Sequence, residues 1–413
     1  MKGRILGGPL QSFIVVFSDL MKTATSLDVD SNVTGSPVDV MRVGEGLPGK
    51  AGLTALLLVC FLATGCSSGG GGETSGGPPA VGASCSVVQL EGDMDSVLAQ
   101  TTSEVDFSFS VERQDGRRYS YNRGASTLQT SYESASTSKL VSAVIILRLV
   151  DQGYLNLSDR PQRYITTWPI LNTDPLFNLT LAQLLSFTSG LATSTQSEQA
   201  CLNLGGANFE NCVNNIANTQ AGNGVTPGQQ FYYSSNHLQV AGLMAIKARG
   251  VATWQDLFTE FKTQTGLFPT AAYDLPSSTN SRLAGGMHWT GEEYMAFLKA
   301  LKDGSLLNAA SMSQLLADHT ASATIVYSPA VVGLGEDWHY GFGLWHECQS
   351  ATFNCTAGTR VSSPGAYGGY PFWDRSKGYT GIVARQGALG TFPNGIAIER
   401  SVRSNVEQWA ACQ

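Results

Sequence analysis

Charge is sparse in this chain. Only 14% of its 413 residues are Asp, Glu, Lys or Arg, against roughly a quarter in an ordinary globular protein. The 32 acidic residues outnumber the 25 basic ones, for a net charge of −7. No basic stripe with interleaved aromatics occurs, so the electrostatic footprint of a nucleic-acid partner is missing. Histidine is scarce too. His237, His288, His319, His339 and His346 make up the five, and none stands in a context that marks a serine–histidine triad. An apolar run of about 20 residues, enough to span a bilayer, is absent, and no internal repeat is present. What remains is a Gly-, Ser- and Thr-rich chain with 42% apolar residues, enough for a large core in one big domain or two.

Near the start the composition changes. Met41-Arg42 and Lys50 form a basic region, Ala51–Ala63 is an apolar stretch too short to cross a membrane, and Ala63-Thr64-Gly65-Cys66 closes it. This resembles a bacterial lipobox, in which the cysteine is lipidated and becomes the new N-terminus; ordinary signal cleavage or a buried helix is the plainer alternative. The expected organisation is a lipoprotein-type signal peptide over 41–66 with lipidation at Cys66, a Gly/Ser/Pro linker over 67–84, and a folded domain over 85–413. Residues 1–40 fit no export signal and are read as upstream sequence, with translation starting at Met41. Gly65-Cys66-Ser67-Ser68-Gly69 formally matches the G-x-S-x-G nucleophile elbow. That motif needs a strand, a turn and a helix around it, and a lipobox followed by a linker offers none. The expected location is the bacterial cell envelope, with the domain held at a membrane by its lipidated end and facing the periplasm or exterior.

With Cys60 and Cys66 in the signal region, six cysteines remain. An even number in an exported domain suggests three disulfides, with fifteen pairings open in principle. Local spacing favours Cys201–Cys212 and Cys348–Cys355, which leaves Cys85 and Cys412 at the two ends of the domain. A zinc site is the competing reading, since His346 and Cys348 sit near His339. No second pair stands at ligand spacing, and an oxidising compartment works against free thiolates. Neither a metal nor a cofactor is expected.

The coarse pattern runs from helix to hairpin to helices to strands. Val87–Leu98 has helical spacing, and Val105–Val111 with Arg118–Tyr121 alternates around Asp115-Gly116 as a hairpin. The apolar run Leu140–Leu149 continues a helix that ends near Gln152-Gly153. Residues 155–335 read as mostly helical, with segments at Leu181–Leu185, Leu238–Lys247, Trp254–Phe261 and Glu292–Leu301. Strand-like runs follow at Tyr340–His346, Gly369–Trp373, Thr380–Arg385 and Gly395–Ile398, and Val402–Ala411 closes the chain as a helix. The expected class is α+β, an antiparallel sheet flanked by N- and C-terminal helices with an all-α region beside it. The α/β part takes about 85–135 and 336–413, and the helical part about 136–335.

Ser136-Thr137-Ser138-Lys139, just ahead of that apolar run, carries the chemistry. Residues three apart share a helix face, so Lys139 can reach the Ser136 hydroxyl, and a desolvated lysine can accept a serine proton. The plainer alternative is a helix N-cap with Lys139 in solvent. Four further stretches weigh against it: Phe231-Tyr232-Tyr233-Ser234-Ser235-Asn236-His237-Leu238-Gln239-Val240-Ala241-Gly242, Leu184-Leu185-Ser186-Phe187-Thr188-Ser189-Gly190-Leu191, Ala284-Gly285-Gly286-Met287 and Tyr340-Gly341-Phe342-Gly343-Leu344-Trp345. In order and spacing they resemble class C β-lactamases and their esterase relatives, within the serine β-lactamase and penicillin-binding protein superfamily. The likeness covers roughly residues 86–413.

The resemblance implies a β-lactamase/transpeptidase-like fold and an acyl-serine enzyme with Ser136 as nucleophile, Lys139 as base and Tyr233 as second base. Where the family has a substrate-contacting Asn, Ser235 stands. Where it has K-T-G or H-T-G, the chain has Ser363-Pro364-Gly365, with Gly365 and Ala366 at the oxyanion side. The family's carboxylate-binding cation is therefore missing, and neutral esters or amides become the expected substrates of a serine hydrolase acting as a monomer. The alternatives are a β-lactamase or D-alanyl-D-alanine carboxypeptidase, or a non-catalytic lipoprotein of the same fold that binds peptidoglycan or a peptide.

Overall fold

The computed structural model describes residues 85–101 and 106–412. Residues 1–40, the signal region with its lipobox Cys66, and the linker lie outside them. The chain runs α1 (Val87–Ala99), β1 (Phe107–Arg113), β2 (Arg118–Arg123), β3 (Ser131–Glu133), a 3-10 turn (Ala135–Thr137), α2 (Ser138–Asp151), α3 (Leu181–Leu185) and α4 (Phe209–Gln220). It continues through β4 (Gln230–Tyr232), α5 (Asn236–Arg249), α6 (Trp254–Thr265), β5 (Ala272–Tyr273), β6 (Met287–Thr290), α7 (Gly291–Lys302), α8 (Ala309–Leu315), β7 (Thr324–Tyr327) and α9 (Pro329–Leu334). The last elements are β8 (His339–Tyr340), β9 (Trp345–His346), β10 (Arg360–Ser362), β11 (Tyr370–Asp374), β12 (Tyr379–Ala384) and α10 (Phe392–Ala411).

Seven strands form one sheet in the order β2-β1-β12-β11-β10-β9-β8, antiparallel at every pairing. Every residue of β1 and β12 is buried, as strands covered on both faces must be. The terminal helices α1 and α10 pack on each other and against the sheet, and α7 packs against β12, β11 and β1. Where sheet and α7 meet, the approach is close: a Cβ on Gly291 would lie 3.0 Å from that of Ala384.

Two helices set the depth of the interior. In α2 every residue from Ser138 to Leu149 except Arg148 is buried, and in α5 every residue from Asn236 to Ile246. Helices apolar nearly all round belong inside a protein, and these two pack against each other. Their N-terminal ends bring Ser136 and Lys139 beside Tyr233. The surrounding helices are fixed locally by capping boxes, Thr180 with Gln183, Thr253 with Asp256 and Thr290 with Glu293.

At the other side of the sheet α10 is seated by buried charge. Arg360 of β10 meets Glu399 at 2.7 Å, Glu347 at 3.1 Å and Asp374 at 3.2 Å, and Arg403 meets Glu399 at 2.5 Å. Glu399 is wholly inaccessible to solvent. Six cysteines form three disulfides, Cys85–Cys412, Cys201–Cys212 and Cys348–Cys355, with Cα–Cα distances of 5.6, 5.5 and 5.6 Å.

Several expected elements need correction. Tyr340–His346 is not one strand but the hairpin β8–β9, because Gly341 to Leu344 turn between them and Gly343 sits at φ 70°. Gly395–Ile398 is helical, part of α10 with Pro393 in its first turn. Ile396, Glu399, Val402, Val406 and Trp409 are buried at three- and four-residue intervals, which is helix periodicity. The short strand β10 was not expected, and the segment read as mostly helical also holds the pair β4-β7 and the strands β5 and β6, which form a small sheet with β3.

Candidate active site

Ser136 lies in the 3-10 turn that leads into α2. It alone is partly exposed between Ser134 and Leu140. The residue before it, Ala135, has φ 44°, a left-handed conformation that costs a non-glycine residue and persists only where the surroundings impose it. They do so with hydrogen bonds. Trp289 Nε1 donates to Thr137 Oγ1 at 2.7 Å, Tyr294 to the Thr137 carbonyl at 2.8 Å, and Tyr273 to the Ser138 carbonyl at 3.1 Å. The Ser134 and Ser138 hydroxyls bond to each other beneath the turn.

Lys139 Nζ donates to Ser136 Oγ at 2.8 Å and to the Ala284 carbonyl at 2.8 Å. The side chain is buried, at 3% exposure. Burial disfavours the ammonium and lowers its pKa to about 7, with Glu198 pulling upward and Arg282 downward. The free amine is thus within reach near neutral pH, in contact with a serine hydroxyl.

Tyr233 closes the cluster. Its ring lies 4.6 Å below Lys139 Nζ, stacks on Trp345 at 5.0 Å and meets Phe187 edge-on at 5.6 Å. Burial raises its pKa above the usual value, outweighing hydrogen bonding from Ser136 and Trp345 that favours ionisation. It therefore stands as a phenol beside a lysine whose pKa burial depresses. Ser136, Lys139 and Tyr233 form one group.

The Ser363-Pro364-Gly365 loop lies directly against the nucleophile turn. Ser363 Oγ donates toward the Ser136 and Gly343 carbonyls, at 3.3 Å each. A Cβ on Gly365 would come within 2.4 Å of the Ser134 carbonyl oxygen, so only glycine allows this approach. The Gly365 N–H is spent on the Gly369 carbonyl at 2.7 Å, whereas no acceptor among the described residues takes the Ala366 N–H.

Ser235 stands at the start of α5, against Glu198. It is buried, its N–H donates to Glu198 Oε1 at 2.7 Å, and its hydroxyl also faces Glu198. Asn236 is buried and braces the loop beneath, donating to the Leu191 and Ser197 carbonyls at 3.0 and 3.3 Å. His237 sits between Ser189 at 2.8 Å and the Tyr232 carbonyl at 3.0 Å, and burial drives its pKa down to about 4. It is a neutral structural histidine. His346 holds the Gly358 N–H and the Ala317 carbonyl, and Cys348 is oxidised. Among the described residues no three of His, Cys, Asp and Glu gather as metal ligands.

Two site residues escaped the sequence reading. Enclosure raises the Glu198 carboxyl, but Arg282, Ser235 and Lys139 outweigh it and hold the group below its usual range. Arg282 stands two residues before Ala284. Both sit in loops without a periodic pattern. The one available signal was position: Glu198 follows Leu184–Leu191 closely, and Arg282 directly precedes Ala284–Met287.

An antiparallel sheet with terminal helices, and a serine–lysine pair at the start of a buried helix, define the β-lactamase/transpeptidase-like fold. The chain belongs to the Beta-lactamase family, which it matches over residues 111–397. Among curated proteins it is 30% identical over 117 residues to Protein flp of Staphylococcus aureus strain MW2, an alignment covering 28% of this chain and 22% of that protein. The chain thus spans about a fifth of the length of the curated relatives it matches. Its fold is similar to a β-lactamase/D-alanine carboxypeptidase from Yersinia pestis, with TM-score 0.62, 15% identity, and coverage of 78% of this chain and 98% of that one. It is also similar to EstCE1, described as a hydrolase with promiscuous acyltransferase activity, with TM-score 0.60, 16% identity, and coverage of 76% and 98%.

Proposed function

We propose that this protein is a serine acyl hydrolase acting on neutral esters or amides through an acyl-Ser136 intermediate. The observation that carries the reading is the 2.8 Å contact between Ser136 Oγ and a buried Lys139 whose pKa is near neutrality. The neutral amine takes the serine proton as Oγ bonds to the acyl carbon. The Ser136 and Ala366 N–H groups receive the oxyanion. As the tetrahedral adduct collapses, the Tyr233 phenol gives its proton to the departing oxygen or nitrogen and recovers one from the Lys139 ammonium. Water then gives a proton to Lys139 as its oxygen bonds to the acyl carbon, and the acid leaves as the acyl–Oγ bond breaks and Ser136 Oγ takes that proton back from Lys139.

Substrate class rests on Ser363. Its hydroxyl is turned onto backbone carbonyls where related enzymes are expected to carry a carboxylate-binding cation, and such a contact contributes roughly 1.5–3 kcal/mol. The test sets short-chain aryl esters, a chromogenic cephalosporin and D-alanyl-D-alanine peptides side by side. Aryl esters should be turned over at least tenfold better in kcat/KM. Efficient cephalosporin hydrolysis would make the protein a β-lactamase instead. Ser363→Lys should raise β-lactam acylation relative to ester hydrolysis.

Envelope attachment belongs to the same reading. Three disulfides fit an oxidising compartment, and the lipobox supplies Cys66 as the lipid-bearing residue. Labelled palmitate should enter the protein in cells and be lost from Cys66→Ser; equal labelling of that variant would remove the anchor.

A further inference from the structure

Tyr233 is held by more than Lys139 and Trp345. The peptide that joins it to Tyr232 is bonded on both sides. The Tyr233 N–H donates to the Tyr327 carbonyl of β7 at 3.1 Å, and the Tyr232 carbonyl lies 3.0 Å from His237 Nε2. A carbonyl only accepts, so Nε2 carries the proton of the neutral imidazole and Nδ1 is left to accept. The Ser189 hydroxyl supplies that bond at 2.8 Å and itself takes the Leu191 N–H at 3.3 Å. His237 is thereby fixed in one tautomer and one ring plane, wholly buried in the first turn of α5.

Phe187 lies flat on that plane, with ring centroids 5.0 Å apart and only 14° between the rings. It closes α3: the Thr188 N–H bonds to the Gln183 carbonyl at 2.9 Å and the Phe187 N–H to that of Leu184 at 3.4 Å. Glycine is the usual occupant of this left-handed position. Phe187 takes it at φ 61°, which a bulky side chain does only where the surroundings impose it. The turn brings the Phe187 carbonyl to the Tyr232 N–H at 3.2 Å and its ring edge-on to Tyr233 at 5.6 Å. Tyr340 packs on both rings, at 5.0 and 6.0 Å. Glycine would satisfy the backbone here, but it would not supply the ring.

We infer that Phe187 and His237 act together as positioning residues for the Tyr233 phenol. His237 fixes the peptide from which Tyr233 extends, and Phe187, seated on the imidazole, fixes the ring. The kinetic consequence rests on the acyl-hydrolase reading, in which this phenol gives its proton to the departing group. Such donation counts most where the leaving oxygen is strongly basic. An alkoxide needs the proton, whereas p-nitrophenolate departs without it.

The test compares kcat/KM for ethyl acetate and p-nitrophenyl acetate, which give the same acetyl-Ser136, so their ratio reports acylation alone. His237→Leu and Phe187→Leu should lose about tenfold or more on ethyl acetate beyond their loss on p-nitrophenyl acetate, with a cooperative melting transition retained. Ser189→Ala, which only frees the far side of the imidazole, should move the ratio the same way by less, and it carries the test if a leucine variant does not fold. His237→Gln, which still offers an N–H to the Tyr232 carbonyl, should hold the ratio near wild type. In a Tyr233→Phe background none of these changes should move the ratio further. Equal losses on both esters, or a ratio still moved without the phenol, would overturn the inference and leave the hydrolase reading standing. A second readout needs no turnover: the Tyr233 ring signal of carbon-13-tyrosine-labelled protein, assigned by its loss in Tyr233→Phe. It should shift in His237→Leu and return in His237→Gln; an unmoved signal would overturn the inference. The expected shifts in a protein that neither hydrolyses esters nor labels at Ser136 would sustain the positioning role and sink the hydrolase reading.

Discussion

At the scale of single residues the site depends on keeping a lysine dry. Lys139 is buried, and the same burial that lowers its pKa to about 7 makes it a base near neutral pH. The sign is direct: the amine works only when unprotonated, so kcat/KM should rise with pH through about 7 and fall away below it, in a pH–rate profile on an aryl ester. Tyr233 moves the opposite way and remains a phenol. On the proposed mechanism the two share one proton path, so Lys139→Ala and Tyr233→Phe should each cost several orders of magnitude in kcat, and the double variant little more. Single-turnover kinetics on the three variants checks this; fully additive losses would separate the two residues. Gly365→Ala puts a methyl group against the Ser134 carbonyl. It should displace Ala366 and lower kcat by about 10²-fold, the loss typical of one missing oxyanion donor, with circular dichroism unchanged.

The elements are held by two different means. α2 and α5 are fixed by apolar burial, whereas α10 is fixed to the sheet by the cluster of Arg360, Glu347, Asp374, Glu399 and Arg403. Glu399→Ala leaves the buried Arg360 and the half-buried Arg403 short of a partner and should cost about 3–5 kcal/mol in urea unfolding. Glu347 is kept ionised below its usual range by Arg360 and Arg403 against burial, so its contribution is present above the unfolded carboxyl pKa and is lost as pH falls through the folded one. Periodicity made α2, α5 and α7 legible, because long helices carry their pattern with them. It concealed β10 and the hairpin β8–β9, since strands of two or three residues are too short to show alternation. It also mistook Gly395–Ile398, where four residues suit either period and only the following turns decide. Ser136 and Lys139 were legible through their spacing only together with the stretches downstream, and Tyr233 through its twelve-residue context. Glu198 and Arg282 were not, because a loop residue's neighbours are chosen by the fold and leave no local trace.

At the largest scale the two ends of the described domain are joined. Cys85 and Cys412 join α1 to the end of α10 across 327 positions, and Arg113 of β1 bonds to the Trp409 carbonyl at 2.9 Å while lying over its ring. The chain-entropy relation gives about 6 kcal/mol for a loop of this length, and native bridges typically contribute about 2–5 kcal/mol. A Cys85→Ser/Cys412→Ser variant should therefore melt well below wild type by calorimetry, with ester hydrolysis retained at room temperature, because the site is built from elements inside the loop. The central claim is that Ser136 becomes acylated, and mass-spectrometric mapping of the protein after reaction with a fluorophosphonate tests it most directly. One adduct on the peptide carrying Ser136, absent from Ser136→Ala and greatly slowed in Lys139→Ala, is the expected result. An unmodified Ser136, or equal labelling of the Ser136→Ala variant at another residue, would contradict it.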